Sequence, residues 1–238
     1  MLKSLFIWTL TWAYMVAAGI VSLPGIWLTG RLDFTYRAAR LGLRFLFRLA
    51  GVKIEISGLE LLPRGPAAIY MANHQSNLDP PILVSALPGN LALLAKKQLF
   101  SVPILGTVLR VGGLIPVERA GDREAARATV ARAADVLRAG RSFLIFPEGT
   151  RSPDGNLLEF KKGPFYLAEQ AQAVVVPVRI TGSGALMPRG STRIRSGTVH
   201  LQVFPPIPPE SWMHAAEPRA ALAAAVRERL TSPPLALR

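Results

Sequence analysis

Apolar and polar residues divide the chain into two unequal parts. From Leu5 to Leu28 no side chain is charged, and Thr, Ser, Gly and Pro are scattered among bulky apolar and aromatic residues. As a helix this stretch reaches about 36 Å, enough to cross a hydrocarbon core of about 30 Å. Pro24-Gly25 predicts a kink or a stop near its end. Lys3 ahead of the run and the small residues Ala17-Ala18-Gly19 also suit a cleaved signal peptide. The apolar run continues past those residues, which favours retention. Between Arg37 and Leu49 the pattern changes: Arg37, Arg40, Arg44 and Arg48 recur at helical spacing, with Leu41, Phe45, Leu46, Phe47 and Leu49 filling the rest. A basic stripe beside a wide apolar face predicts a helix lying in a membrane interface. The alternative is a surface helix packed on the protein's own core, its arginines merely solvated.

Beyond Gly51, short β-rich runs alternate with helical ones. Strands are predicted at Val52–Ile56, Ala67–Met71, Leu91–Ala95, Leu114–Val117, Phe143–Phe146, Val174–Ile180 and Thr198–Phe204, and helices at 81–87, 122–138, 163–171 and 215–230. The second helix has the clearest pattern: Asp122 suits its cap, Ala125, Thr129, Ala133, Val136 and Leu137 its inner face, and Gly140 its end. Such alternation predicts an α/β fold, a mixed and mostly parallel sheet flanked by helices. The expected organisation is a membrane-anchoring helical segment over 1–50, one catalytic domain over 51–230 and a loose tail over 231–238.

Charge narrows the partners. The 28 basic residues exceed the 15 acidic ones, giving a net charge of +13. That excess calls for an anionic partner: nucleic acid, an anionic bilayer or a phosphorylated substrate. No nucleic-acid-binding signature is present, and aromatics do not cluster with the basic residues, so no nucleic-acid partner is expected. Arginines recurring among Leu and Phe fit membrane lipids better. The absence of cysteine excludes disulfides, cysteine-ligated zinc and a thiol nucleophile.

Three polar constellations interrupt the apolar pattern, each at the end of a predicted strand. The first is Asn73-His74-Gln75-Ser76-Asn77-Leu78-Asp79, followed by Pro80, an order that also suits Asp79 as a helix cap with proline at the first helical position. On a regular helix, residues five apart diverge, but a turn brings the carboxylate back to the imidazole. A carboxylate on one ring nitrogen fixes the tautomer and raises basicity, leaving the other nitrogen to deprotonate a hydroxyl. The same arrangement also serves as a plain hydrogen-bonded turn. The second is Phe146-Pro147-Glu148-Gly149-Thr150-Arg151-Ser152, where Gly149 permits a tight backbone and Arg151 offers a fork suited to phosphate. The third runs from Lys96-Lys97 through Pro103 and Gly106 to Ile115–Arg119. Strand ends converge on one rim of an α/β sheet, where sites usually lie.

Together these residues resemble the glycerolipid acyltransferase family, most closely its 1-acyl-glycerol-3-phosphate acyltransferases. The family's N-H-x4-D motif stands at Asn73–Asp79, and its F-P-E-G-T-R-S motif is complete at Phe146–Ser152, with Phe160-Lys161-Lys162-Gly163 after it. The K-x-x-L-F-x-x-P-x-x-G block fits from Lys96 or Lys97 to Gly106, and V-P-V-x-I is Val176–Ile180. The resemblance covers about residues 50 to 205; Pro80-Pro81 is a departure from the pattern. It implies no metal and no cofactor beyond a thioester co-substrate, acyl-CoA or acyl carrier protein. The implied acceptor is lysophosphatidic acid or another lysolipid. His74 is the implied general base and Asp79 its partner. Lys96 or Lys97, Arg119 and Arg151 are the implied phosphate ligands, and Glu148, Gly149 and Thr150 shape the substrate loop. Glu148 is expected to orient that loop rather than to move a proton.

Two rivals make different demands. A lipid serine hydrolase needs a G-x-S-x-G elbow, and Gly182-Ser183-Gly184 lacks the spacing. A non-catalytic lipid-binding protein needs none of His74, Asp79 and Arg151 together. A basic side richer in arginine after the apolar run than before it predicts a catalytic domain on the cytoplasmic face.

Overall fold

A computed structural model describes residues 2–29, 32–63, 65, 67–117 and 123–232, with backbone only at 22, 23, 25, 27, 29 and 123. Arg119, the Asp122 cap and the tail from 233 onward lie outside the described residues. Seven strands form one sheet: β1 (Val52–Ser57), β2 (Ala68–Ala72), β3 (Ala92–Lys96), β4 (Ile115–Val117), β5 (Phe143–Ile145), β6 (Val174–Thr181) and β7 (Gly197–Val203). Their order is β1-β7-β6-β2-β5-β3-β4. Every pairing is parallel except β6 with β7. The sheet is mixed and mostly parallel, as the strand–helix alternation predicts.

The helices are α1 (Leu2–Thr29), α2 (Asp33–Leu49), α3 (Asp79–Ala86), α4 (Leu105–Val111), α5 (Arg123–Arg138), α6 (Lys162–Ala171), α7 (Ser183–Leu186) and α8 (Pro218–Thr231). They cover both sheet faces, so the central strands are apolar on both sides. Along β2, Ala68, Tyr70 and Ala72 join a cluster with Ile82 and Leu83 of α3, while Ile69 and Met71 join one with Phe165 of α6 and Leu222 of α8. α4 is not anticipated by the sequence: Gly106 and the β-branched Thr107, Val108 and Val111 blunt its helical pattern. Thr231, expected in the loose tail, is the last residue of α8.

The first fifty residues are built into the domain rather than hung from it. α1 continues to Thr29 with Pro24 inside it, not stopping at Pro24-Gly25. Proline that near the end removes one helical N–H with only a short length of helix still to form. α1 is long and apolar enough to cross a bilayer over Leu2–Val21. Its first two turns nevertheless bind the domain: Lys3 Nζ donates to Ala50 O and Ser196 Oγ at 2.7 Å each, and Ile7 is buried in the core. Further along, Tyr14 Oη donates to Ala38 O of α2 at 2.6 Å. Only glycine fits beneath that ring, since a Cβ at position 42 would lie 2.1 Å from it.

α2 corrects half of the expected arginine stripe: Arg37 and Arg48 are exposed, but Arg40 and Arg44 bind the domain. Arg40 Nε donates to Val84 O and Arg44 Nε to Ser85 O, both at 3.1 Å, and Arg40 also reaches Gly89 O. Val84 and Ser85 lie in the last turn of α3, whose carbonyls lack helical partners and carry the negative end of the helix dipole. These two arginines therefore fasten α2 to the domain. The face turned outward interleaves exposed Phe34, Leu41, Phe45 and Leu49 with exposed Arg37 and Arg48. Inward, Tyr36, Leu46 and Phe47 are buried.

Gly42→Ala should force Tyr14 off its seat and cost about 1–3 kcal/mol, the usual range for overpacking. Thermal denaturation in detergent measures it; an unchanged Tm would contradict the close packing of α1 on α2.

Candidate active site

The C-terminal ends of β2, β5, β3 and β4, four adjacent parallel strands, lie along one edge of the sheet. The loops leaving β2 and β5 carry His74 and Arg151, and Lys96 is the last residue of β3. Carrying the register forward places Asn73, Pro147 and Lys96 on one row, two strand spacings of about 4.8 Å from end to end.

Within the β2 loop, Asp79 is fully buried and its Oδ2 accepts three hydrogen bonds: His74 Nδ1 at 2.8 Å, Gln75 N at 2.6 Å and Ser76 N at 2.7 Å. The side chain folds back onto its own loop and does not cap α3, contrary to the capping role expected of it. Pro80 and Pro81 explain why. Neither has an N–H, so two of the donors that a helix start normally leaves open are missing, and the carboxylate is free for the loop. With Nδ1–H donating to Asp79, the tautomer leaves the Nε2 lone pair available. The imidazole is also stacked on Phe146, with ring centroids 4.0 Å apart and planes 20° apart.

Further bonds hold the loop at both ends. Asn73 pairs its side-chain amide with the backbone of Ile180, donating to its carbonyl at 2.9 Å and accepting from its N–H at 2.8 Å. This continues the β2–β6 pairing one residue past the strand. Ser76 Oγ donates to Met187 O at 2.7 Å.

The β5 loop is tied to the β2 loop through Glu148 and Ser152. Glu148 is buried; its Oε1 accepts from His74 N at 2.7 Å and its Oε2 from Leu158 N at 2.8 Å. Burial pushes its carboxyl above the usual range, and the Leu158 and His74 N–H groups pull partly in the other direction. Ser152 N donates to His74 O at 2.7 Å. The turn closes with Gly149 N donating to Phe146 O at 3.0 Å, and Gly149 sits at φ 68°, a conformation that disfavours any side chain.

Gly149 and Thr150 are exposed at the tip, and Arg151 is half-buried beside them. The Arg151 guanidinium has no hydrogen-bond or ion-pair partner among the described residues. Lys96 and Lys97 are both exposed, the first ending β3 and the second opening the short 3-10 turn after it. The geometry thus brings together His74, Asp79, Glu148 and Arg151. The sequence reading overlooked the stacking role of Phe146 and the bridging amide of Asn73, although both stand inside its motifs. The Leu158 N–H left no signal, because a backbone donor can occur at any residue.

A family model described as Acyltransferase matches residues 53–181, more than half of the 238-residue chain. The chain belongs to the acyltransferase family. Among curated acyltransferases, the chloroplastic 1-acyl-sn-glycerol-3-phosphate acyltransferase LPAT1 of Arabidopsis thaliana is 40% identical over 157 residues, 65% of this chain and 44% of that protein. The 1-acyl-sn-glycerol-3-phosphate acyltransferase alpha of Ovis aries is 30% identical over 197 residues, 83% of this chain and 69% of that protein. The match thus spans less than half of the plant acyltransferase and about two thirds of the sheep one. Among solved structures, the 1-acyl-sn-glycerophosphate acyltransferase PlsC of Thermotoga maritima superposes with a TM-score of 0.80 at 25% identity, covering 96% of this chain and 94% of that one. The same acyltransferase fold therefore includes the two N-terminal helices.

Glu148→Gln replaces one of two acceptor oxygens with an NH2 that must face a backbone N–H. Such a buried unsatisfied pair should cost about 1–3 kcal/mol of stability. Equal denaturation midpoints for the variant and the parent would contradict the bidentate bridge.

Proposed function

We propose that this acyltransferase moves a fatty acyl group from a thioester, acyl-CoA or acyl carrier protein, to the free glycerol hydroxyl of 1-acyl-glycerol-3-phosphate, giving phosphatidic acid. The observation that carries the proposal is the His74–Asp79 pair beside an Arg151 guanidinium without a partner. In this mechanism the acceptor hydroxyl gives its proton to His74 Nε2 as its oxygen attacks the thioester carbonyl. The imidazolium formed is stabilised by the Asp79 carboxylate. Collapse of the tetrahedral intermediate breaks the carbon–sulfur bond, and the departing thiolate takes the proton from His74. Arg151 receives the acceptor phosphate, with Lys96 or Lys97, at the end of β3, and Arg119 as further cationic ligands. Glu148 holds the His74 and Arg151 loops together and takes no proton in the cycle.

The reading also includes a membrane. Exposed apolar side chains on α1 and α2 would be immersed in one leaflet, with Lys3 and the catalytic domain on the same side of it. The cytoplasmic side is the one that supplies thioester donors. The decisive experiment offers purified protein a panel of lysolipids with each donor and identifies the lipid products by mass spectrometry. Phosphatidic acid from lysophosphatidic acid is expected; donor hydrolysis alone, or no turnover with any acceptor, would overturn the proposal.

His74→Ala should lower turnover by roughly 10²–10⁴, the contribution of a general base, while acceptor binding survives. Asp79→Ala should be severe but less so. Arg151→Ala should raise the acceptor KM at least roughly tenfold, since charge-assisted phosphate contacts contribute about 1.5–3 kcal/mol each. Steady-state kinetics with phosphorylated and phosphate-free acceptors measures this; equal losses on both would contradict the phosphate role.

A further inference from the structure

With Arg40 and Arg44 docked against α3, α2 retains Arg37 and Arg48 as exposed cations. A second segment adds three more. Between α7 and β7, residues 187–196 form a loop with three exposed arginines, Arg189, Arg193 and Arg195. No Asp or Glu occurs anywhere in residues 171–209, and none in residues 2–29. Nothing local on either segment neutralises the three guanidinium groups.

The loop is fastened along α1. Ser4 Oγ accepts from Ile194 N at 3.0 Å, and the Ile194 side chain is buried. Trp8 Nε1 donates to Thr192 O at 2.8 Å, and Lys3 Nζ reaches Ser196. These bonds hold the arginine-bearing loop against the first two turns of α1, whose Leu2, Leu5 and Phe6 are exposed. At its other end the loop meets the active site: Ser76 Oγ donates to Met187 O, and Arg189 Nη1 donates to Arg151 O at 3.4 Å. Apolar side chains with fixed cations alongside are what an anionic bilayer surface binds.

We infer that the 187–196 loop is a binding strip for anionic phospholipid head groups, which seats the enzyme on the bilayer and leads from its surface to Arg151. The inference rests on the membrane placement proposed above but not on which acceptor is used. Its consequence is that anionic lipid is bound next to the active-site loops, in addition to any held by Arg37 and Arg48 of α2.

Vesicle co-sedimentation tests this independently of turnover. The probes are vesicles of phosphatidylcholine alone and of phosphatidylcholine with 30% phosphatidylglycerol, about that fraction being enough to charge the surface strongly. Full-length Arg193→Gln/Arg195→Gln protein should bind the anionic vesicles roughly twenty- to thirty-fold more weakly than the parent, about fivefold per arginine. Binding to neutral vesicles should be unchanged. Arg127→Gln/Arg132→Gln removes equal charge from exposed positions on α5 and should bind like the parent. Arg193→Lys/Arg195→Lys should restore binding, which separates loss of charge from loss of fold. Parent-like binding by the glutamine pair, or an equal loss in the α5 pair, would overturn the strip. If the strip holds while no acyl transfer is seen, the proposed reaction fails and this inference survives.

Discussion

A buried carboxylate organises this molecule's chemistry. Asp79 holds three donors on one oxygen, two of them backbone N–H groups and the third the ring of His74. The two backbone bonds fold the loop tightly enough for the carboxylate to meet an imidazole five residues upstream. A charge so completely removed from water is costly unless it is paired and hydrogen-bonded. The loop that supplies those bonds is itself anchored on either side of His74, by Asn73 to β6 and by Ser76 to the chain after α7. The base is consequently held by the sheet and not by local preference alone.

Glu148 extends the same constraint to the second loop. By bridging the His74 N–H and the Leu158 N–H, it locks the β2 and β5 loops into one unit, with Arg151 one residue before the Ser152 N–H that meets His74 O. Phe146 completes the setting from the strand end, limiting the ring to one plane. The strand order matters here. Because β2, β5, β3 and β4 are neighbours and parallel, their motif-bearing ends share one edge, and residues distant in sequence need no long excursions to meet.

How much of this was legible follows from what each feature depends on. The strands and most helices were readable because their apolar runs are buried by the sheet itself, as at Val174–Thr181. His74 and Asp79 were readable because both sit in one short loop before proline. The inward turn of Arg40 and Arg44 was not, since the spacing of arginines is the same whether they face lipid or the end of α3. The capping role expected of Asp79 failed because Pro80 and Pro81 had removed the donors that needed a cap. The attachment of α1 to the 187–196 loop joins residues almost two hundred positions apart, and no local pattern encodes such a contact. α4 escaped notice because its composition opposes the helix that its packing imposes.

The claim that Asp79 fixes His74 as a base is tested most directly on the ring nitrogens. With only three histidines in the chain, 15N-histidine labelling resolves His74 by comparison with His74→Ala. Long-range 1H–15N spectra of the parent should show the neutral ring protonated at Nδ1, with Nε2 unprotonated, and Asp79→Asn should disturb that tautomer. A parent ring protonated at Nε2, or one whose signals are unmoved in Asp79→Asn, would contradict the account.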